Sequence, residues 1–165
     1  MEFKYCPLCG KELVKKNVGD EGLIPFCNDC ESPFFDWIPT CIICVVTNER
    51  DQVLLLRQNY VSKLNWGHVA GYMSKGESAE ECAVREILEE TAQAVDEIKY
   101  LKSYYYEKKN LLMLGFHGKV TSSELIASTE VDSLQWFDYH EALNSIRPES
   151  IAHKLLLEYN NLCVK

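Results

Sequence analysis

Apolar and polar positions follow two periods along this chain, and the switches between them mark its elements. Apolar runs at 41–47 and 52–58, separated by a polar turn at 48–51, predict two strands, the first of them buried. A helical period takes over at 78–91, where Val84, Ile87, Leu88 and Thr91 form a stripe expected to bury against a sheet, with acids opposite it. Further strands are predicted at 98–106, 111–120 and 134–137, and helices at 139–146 and 149–161, with Pro148 between the two helices. Residues 59–76 read as a loop leading into the first helix. Mixed strands with segregated helices imply an α/β (α+β) sandwich.

The helix at 78–91 carries the candidate chemistry. Ser78-Ala79-Glu80-Glu81 fits a capping box, and Glu80 and Glu81 suit the positive end of the helix dipole. Within Arg85-Glu86-Ile87-Leu88-Glu89-Glu90, the side chains of Glu86 and Glu90 lie roughly 40° apart around the axis, with Glu89 on the other flank. Three acids so close repel one another unless a cation sits among them, and hard divalent cations take such oxygen ligands together with substrate phosphates. The competing reading is a solvated charged face, which is what most charge runs are.

Composition narrows the setting. The 165 residues suit one ordinary domain with a small appendage, and 47% hydrophobic content is enough for a core. No stretch approaches the ~20 apolar residues of a membrane span and no signal-peptide pattern is evident, so a cytoplasmic protein without a membrane partner is expected. A net charge of −8 speaks against a broad nucleic-acid surface but leaves room for a local basic pocket.

Eight cysteines in such a chain suggest metal binding more than disulfides. Cys6, Cys9, Cys27 and Cys30 form two Cys-x2-Cys knuckles with the spacing of a tetrahedral Zn²⁺ site. Gly10 follows the first knuckle and suits its tight turn; the second lacks a trailing glycine. Residues 1–36 hold too little apolar sequence for a core, so structural Zn²⁺ would supply the folding energy of this ribbon, and 37–165 would form the main domain. Cys41 and Cys44 sit in a strand, where positions i and i+3 face opposite sides, so they are not expected to share an ion.

Gly71, five residues, Glu77, seven residues and then Arg85–Glu90 together resemble the signature of the Nudix hydrolases. The resemblance implies a mixed sheet between helices, and a loop plus helix whose glutamates hold Mg²⁺ or Mn²⁺ to activate water against a pyrophosphate. Ala92 stands where a glycine usually follows the double glutamate, Gln93 replaces an apolar residue, and Ser74 replaces a frequent loop acid. A zinc ribbon ahead of such a domain is similar to the NADH pyrophosphatase branch. Ala70-Gly71-Tyr72, Glu130 five residues before Trp136, and Ser150-Ile151-Ala152 resemble segments of that branch.

The resemblance implies Glu86, Glu90 and Glu130 as metal ligands, with the carbonyl of Ala70 as a further candidate. Glu86, Glu89 and Glu90 are the catalytic candidates, with the base unassigned among them. Tyr72 would stack on a base or nicotinamide, or else serve as a core aromatic, and Ala152 would approach the nucleotide. Arg85 is expected to pair with Glu77 and hold the loop. His68, His117, His140 and His153 lack ligand spacing and receive no role. The branch's proline- and tryptophan-rich binding loop is replaced here by Ser103-Tyr104-Tyr105-Tyr106-Glu107-Lys108-Lys109-Asn110. Its tyrosines, Tyr104 among them, could meet a ring, and Lys108 or Lys109 a phosphate. The implied partner is a nucleotide small molecule, cleaved between its phosphates: NADH or NAD by preference, ADP-ribose or a similar derivative otherwise. A non-catalytic nucleotide-sensing module is the reading from another class. A homodimer is an expectation of the family alone.

Overall fold

The structure, a computed structural model, describes residues 3–58, 65–122, 124–129 and 131–164. The chain divides into two compact units, Met1–Pro39 and Thr40–Lys165. The first holds a small antiparallel sheet of β1 (Val14–Asn17), β2 (Leu23–Cys27) and β3 (Ser32–Pro33), in that order.

The second is organised around β4 (Thr40–Thr47), whose apolar run can serve two faces at once. One edge of β4 pairs in parallel with β8 (Leu111–Val120). Its other edge is shared by β6 (Val69–Tyr72), opposite Cys41 to Cys44, and β5 (Val53–Arg57), opposite Val46 and Thr47. The outer strands are β7 (Val95–Tyr106), beside β8, and β9 (Ser133–Phe137), beside β5. Ile42, Cys44 and Val46 face a core with Cys82, Ala83 and Ile87 of α1 (Ala79–Thr91). Ile43 and Val45 face the opposite core, with Ala142 of α2 (Tyr139–Ser145) and Leu155, Leu156 and Tyr159 of α3 (Ile151–Cys163). The sheet therefore lies between α1 on one side and α2 with α3 on the other. This is the sandwich expected from the periodicity, and Cys41 and Cys44 indeed fall on opposite faces.

Two expectations need correction. The segment 59–76 is not loop throughout: residues 69–72 form β6, a strand of four containing Ala70 and Gly71, which carry little β-propensity and are fixed by the edge of β4. Residues 59–64 lie outside the described part. The buried face of α1 is also turned from the expected stripe. Cys82, Ala83, Ile87, Glu90 and Thr91 are buried, while Val84 is 37% and Leu88 54% exposed. Small residues at 82 and 83 let the helix sit close to the sheet. Glu90 lies on the buried side, not opposite it.

Candidate active site and metal centres

The loop and helix expected to bear the chemistry are tied together by Arg85. Ser78 caps α1 through the reciprocal capping box: its Oγ accepts from the Glu81 amide, and its own amide donates to the Glu81 carboxylate at 2.7 Å. One turn further, Arg85 grips both oxygens of Glu77, with Nε at 3.0 Å and Nη2 at 2.8 Å. Its Nη1 reaches Glu86 at 2.7 Å and Glu89 at 3.0 Å, and Nη2 also donates to the Tyr72 carbonyl at 3.2 Å. Glu77 takes a further hydrogen bond from the Ser74 amide. The Arg85 guanidinium, and then that amide, hold the Glu77 carboxyl down at about 2.

Gly71 explains itself here. A Cβ at this position would meet the carboxylate of Glu86, so any larger residue here would displace that side chain from its place against β6. Glu86 is thereby pressed between β6 and Arg85. Glu90, 6% exposed, accepts from Gln58 Nε2 at 2.7 Å, which offsets part of the cost of burying its carboxylate.

These pieces open on a cleft of about 660 Å³, large enough for much of a nucleotide. Glu86 and Glu90 line it together with Ala70, Gly71 and Tyr72 of β6, Lys109 from the turn before β8, and Arg147, Ser150 and Ala152 from the entry to α3. Residues 38–158 of the chain match the family model described as NUDIX domain. The chain belongs to the Nudix family.

Among curated relatives, the chain is 31% identical over 159 residues to the NAD-capped RNA hydrolase NudC of Pseudomonas fluorescens strain Pf0-1, covering 96% of this chain and 56% of that protein. It is 30% identical over 156 residues to the protein of the same name from Pseudomonas fluorescens strain Pf-5, covering 94% and 55%. The chain thus spans little more than half the length of the curated relatives it matches. Among solved structures, a Nudix hydrolase from Nitrosomonas europaea superposes with a TM-score of 0.75 at 23% identity, covering 96% of this chain and 91% of that one. The Nudix domain of Shewanella oneidensis NrtR, complexed with ADP ribose, gives 0.65 at 18% identity, covering 82% and 92%. Both structural likenesses establish the fold.

The structure sorts the expected residues. Glu86, Glu90, Ala70, Tyr72 and Ala152 meet in the one cleft. Glu130 lies outside the described residues. Glu89 does not line the cleft: its side chain is 58% exposed and drawn outward to Arg85. Tyr72 is 58% exposed at the end of β6, so it is no core aromatic and leaves its ring free at the cleft. Tyr104 is the exception. Alternation along β7 turns its ring onto the core beneath α3, outside the cleft, while the adjacent Tyr105 faces out and reaches Asn110 at 2.5 Å. Burial, and secondarily Glu158, push the Tyr104 phenol pKa up.

Four cleft residues carried no role in the sequence reading. Gln58 holds Glu90. Trp66 packs edge-on to Phe137, with the Arg57 guanidinium over its ring at 4.5 Å. Arg147 enters from the turn between α2 and α3. His68 is buried and its Nε2 donates to the Ala152 carbonyl at 3.2 Å, linking the lead into β6 with the first turn of α3. Burial lowers the His68 pKa to about 4, so the ring is neutral with its proton on Nε2. No local motif marks these four; Gln58, Trp66 and His68 act through partners distant in sequence.

In the first unit, the sulfurs of Cys6, Cys9, Cys27 and Cys30 all lie within 4.8 Å of one another. Cys6 and Cys30 are 3.9 Å apart and Cys9 and Cys27 3.5 Å. A tetrahedron with metal–sulfur bonds of about 2.3 Å has edges of about 3.8 Å, so four thiolates in this arrangement suit a Zn²⁺-sized ion. The Cys30 amide donates to the Cys27 sulfur at 3.4 Å, the kind of outer contact that orients a thiolate ligand. Gly10 after the first knuckle has φ 75°, and Glu31 takes the matching place after the second with φ 52°.

Proposed function

We propose that this Nudix chain hydrolyses the pyrophosphate bond of a nucleoside diphosphate joined to another moiety, with a dinucleotide of the NADH or NAD type favoured. The observation that carries the reading is the convergence of Glu86 and Glu90 with Gly71, Tyr72 and Ala152 in one cleft. The name shared by the curated relatives supports the dinucleotide over other nucleoside diphosphates. ADP-ribose is the second candidate, because the segment 103–110 departs from the branch's binding loop.

The donor set fits a hard divalent cation such as Mg²⁺ or Mn²⁺. Glu86 and Glu90 present carboxylates at the cleft, the Ala70 carbonyl and Glu130 are candidate further ligands, and Gly71 leaves the first carboxylate unobstructed. Such a cation, when bound, supplies charge neutralisation at the phosphates and a lowered pKa for its water. The protein's own side chains do the positioning. Gln58 fixes one oxygen of Glu90, and Arg85 fixes Glu86. Tyr72 offers a ring face to a base or nicotinamide, and Lys109 and Arg147 offer positive charge to phosphate oxygens. The proton of the attacking water falls to a carboxylate that lines the cleft, Glu86 or Glu90, while Glu89 steers Arg85. With NADH the products would be NMNH and AMP. In the first unit, Cys6, Cys9, Cys27 and Cys30 would hold one structural Zn²⁺.

The test is Mg²⁺-dependent turnover of NADH, NAD and ADP-ribose by the wild type, with Glu90→Gln as control. Turnover abolished by Glu90→Gln supports the enzyme. Tight nucleotide binding without turnover of any nucleotide would replace it with a sensing module.

A further inference from the structure

One hydrogen-bond acceptor at the cleft is left unused by the protein. His68 is 4% exposed and lines the cleft. Its Nε2 lies 3.2 Å from the Ala152 carbonyl, which can only accept, so Nε2 carries the proton. Nδ1 then holds a lone pair, and it is buried without a hydrogen-bond partner among the described residues. Buried polar atoms are as a rule paired, and one left open on a residue that lines a ligand-sized cleft is suited to a donor from outside the chain. Nearby polar groups are engaged elsewhere. Gln58 donates to Glu90, and Ser150 Oγ donates to the Arg147 carbonyl at 2.7 Å while accepting from the His153 amide at 3.2 Å.

The walls around His68 narrow the kind of donor. Trp66, His68 and Ala70 are alternate residues of the segment that runs into β6, and all three line the cleft. Ile146 forms a bridge with Trp66, and Ala152 is held by His68 itself. Trp66, Ala70, Ile146 and Ala152 belong to one hydrophobic cluster, on the side of α2 and α3. Apolar neighbours with a single open acceptor suit a flat heteroaromatic ring, and disfavour a charged or heavily hydroxylated group. The donor that such a ring brings is an NH2: the 6-amino group of a purine or the carboxamide of a nicotinamide.

We propose that His68 is a specificity-determining residue, whose Nδ1 accepts a hydrogen bond from an NH2 group on a ring of the substrate. The inference rests on the hydrolase reading above and deepens it: rings with an amino or carboxamide group are selected over their oxo and methyl-ketone counterparts. A site built to hydrogen-bond a donor rejects analogues lacking it far more strongly than an apolar pocket rejects a change of size.

The experiment measures kcat/KM of the full chain with Mg²⁺ for NAD and two analogues. In one, hypoxanthine replaces adenine, so oxygen stands for the 6-amino group. In the other, 3-acetylpyridine replaces nicotinamide, so a methyl stands for the carboxamide NH2. In the wild type, kcat/KM for one analogue is expected to fall by about tenfold or more, and that analogue names the ring. The loss shrinks towards unity in His68→Gln, whose amide can still reach the Ala152 carbonyl but puts no acceptor in the place of Nδ1. It persists in His68→Asn, whose amide oxygen takes that place. A role confined to holding Ala152 predicts the reverse order, with Gln tolerated, Asn impaired and all three substrates affected alike. That result, or equal kcat/KM for NAD and both analogues in the wild type, overturns the inference. Turnover of NAD decides the hydrolase reading separately: cleavage without discrimination removes only the role of His68, and no cleavage of any of the three counts against both.

Discussion

Arg85 directs all three guanidinium nitrogens at the loop and helix that carry the acids, and this makes it the best-determined residue of the site. Lysine offers a point charge and cannot fork across both oxygens of Glu77, so Arg85→Lys should lose turnover while remaining folded. Steady-state kinetics beside a thermal melt would check this; wild-type kcat/KM would contradict it. Gln58 acts on one oxygen of Glu90, and Gln58→Leu should weaken Mn²⁺ binding or Mg²⁺-supported turnover by about 10–100-fold, as loss of an outer-shell partner does. Glu89→Gln should cost much less than Glu90→Gln, since only Glu90 lines the cleft. Equal losses in the two variants would return the exposed glutamate to the list of bases.

At the scale of elements, the end of α1 shows how this chain manages without a glycine. Ala92 adopts φ 56° and its amide donates to the Leu88 carbonyl at 2.9 Å, a left-handed cap that glycine would take without a Cβ penalty. Ala92→Gly should therefore raise stability by about 1 kcal/mol, seen as a higher urea midpoint with an unchanged slope. The cap was foreshadowed by the departure from the family pattern at this residue, and the capping box and most strand limits were equally readable, since each depends on neighbours in sequence. The buried face of α1 was not. The stripe through Val84 and Leu88 is as regular as the one through Ala83 and Ile87. The choice between them is made by the Gln58–Glu90 contact and the close approach of the helix to β4. β6 was hidden for a similar reason: Val69-Ala70-Gly71-Tyr72 has no strand pattern, and the free edge of β4 supplies its partner. Tyr104 was misjudged because a run of three tyrosines does not declare which of its alternating members faces the core.

For the whole molecule, two histidines tie stability to pH: buried His68, described above, and half-buried His117. His117 accepts or donates to Thr47 Oγ1 at 2.8 Å and packs its ring on Tyr159, and burial lowers its pKa to about 4. Between that value and its unfolded value of 6.5, the unfolded chain binds a proton that the folded one excludes, so stability is full above this window and falls as pH drops through it. The contribution from pH 7 to 5 is roughly 1–2 kcal/mol. His117→Gln should make that part of the profile shallower, leaving the share of His68, read from urea midpoints at the two pH values. In the first unit, elemental analysis should find one zinc per chain, lost in Cys6→Ser/Cys9→Ser together with the ribbon's fold; a zinc-free protein with an intact ribbon would refute the site. The central claim concerns the cleft, and mass spectrometry of the products formed from NADH with Mg²⁺ tests it most directly. The account predicts NMNH and AMP, formed by the wild type and not by Glu90→Gln. Intact NADH, with no nucleoside-diphosphate derivative of the panel cleaved between its phosphates, would contradict it.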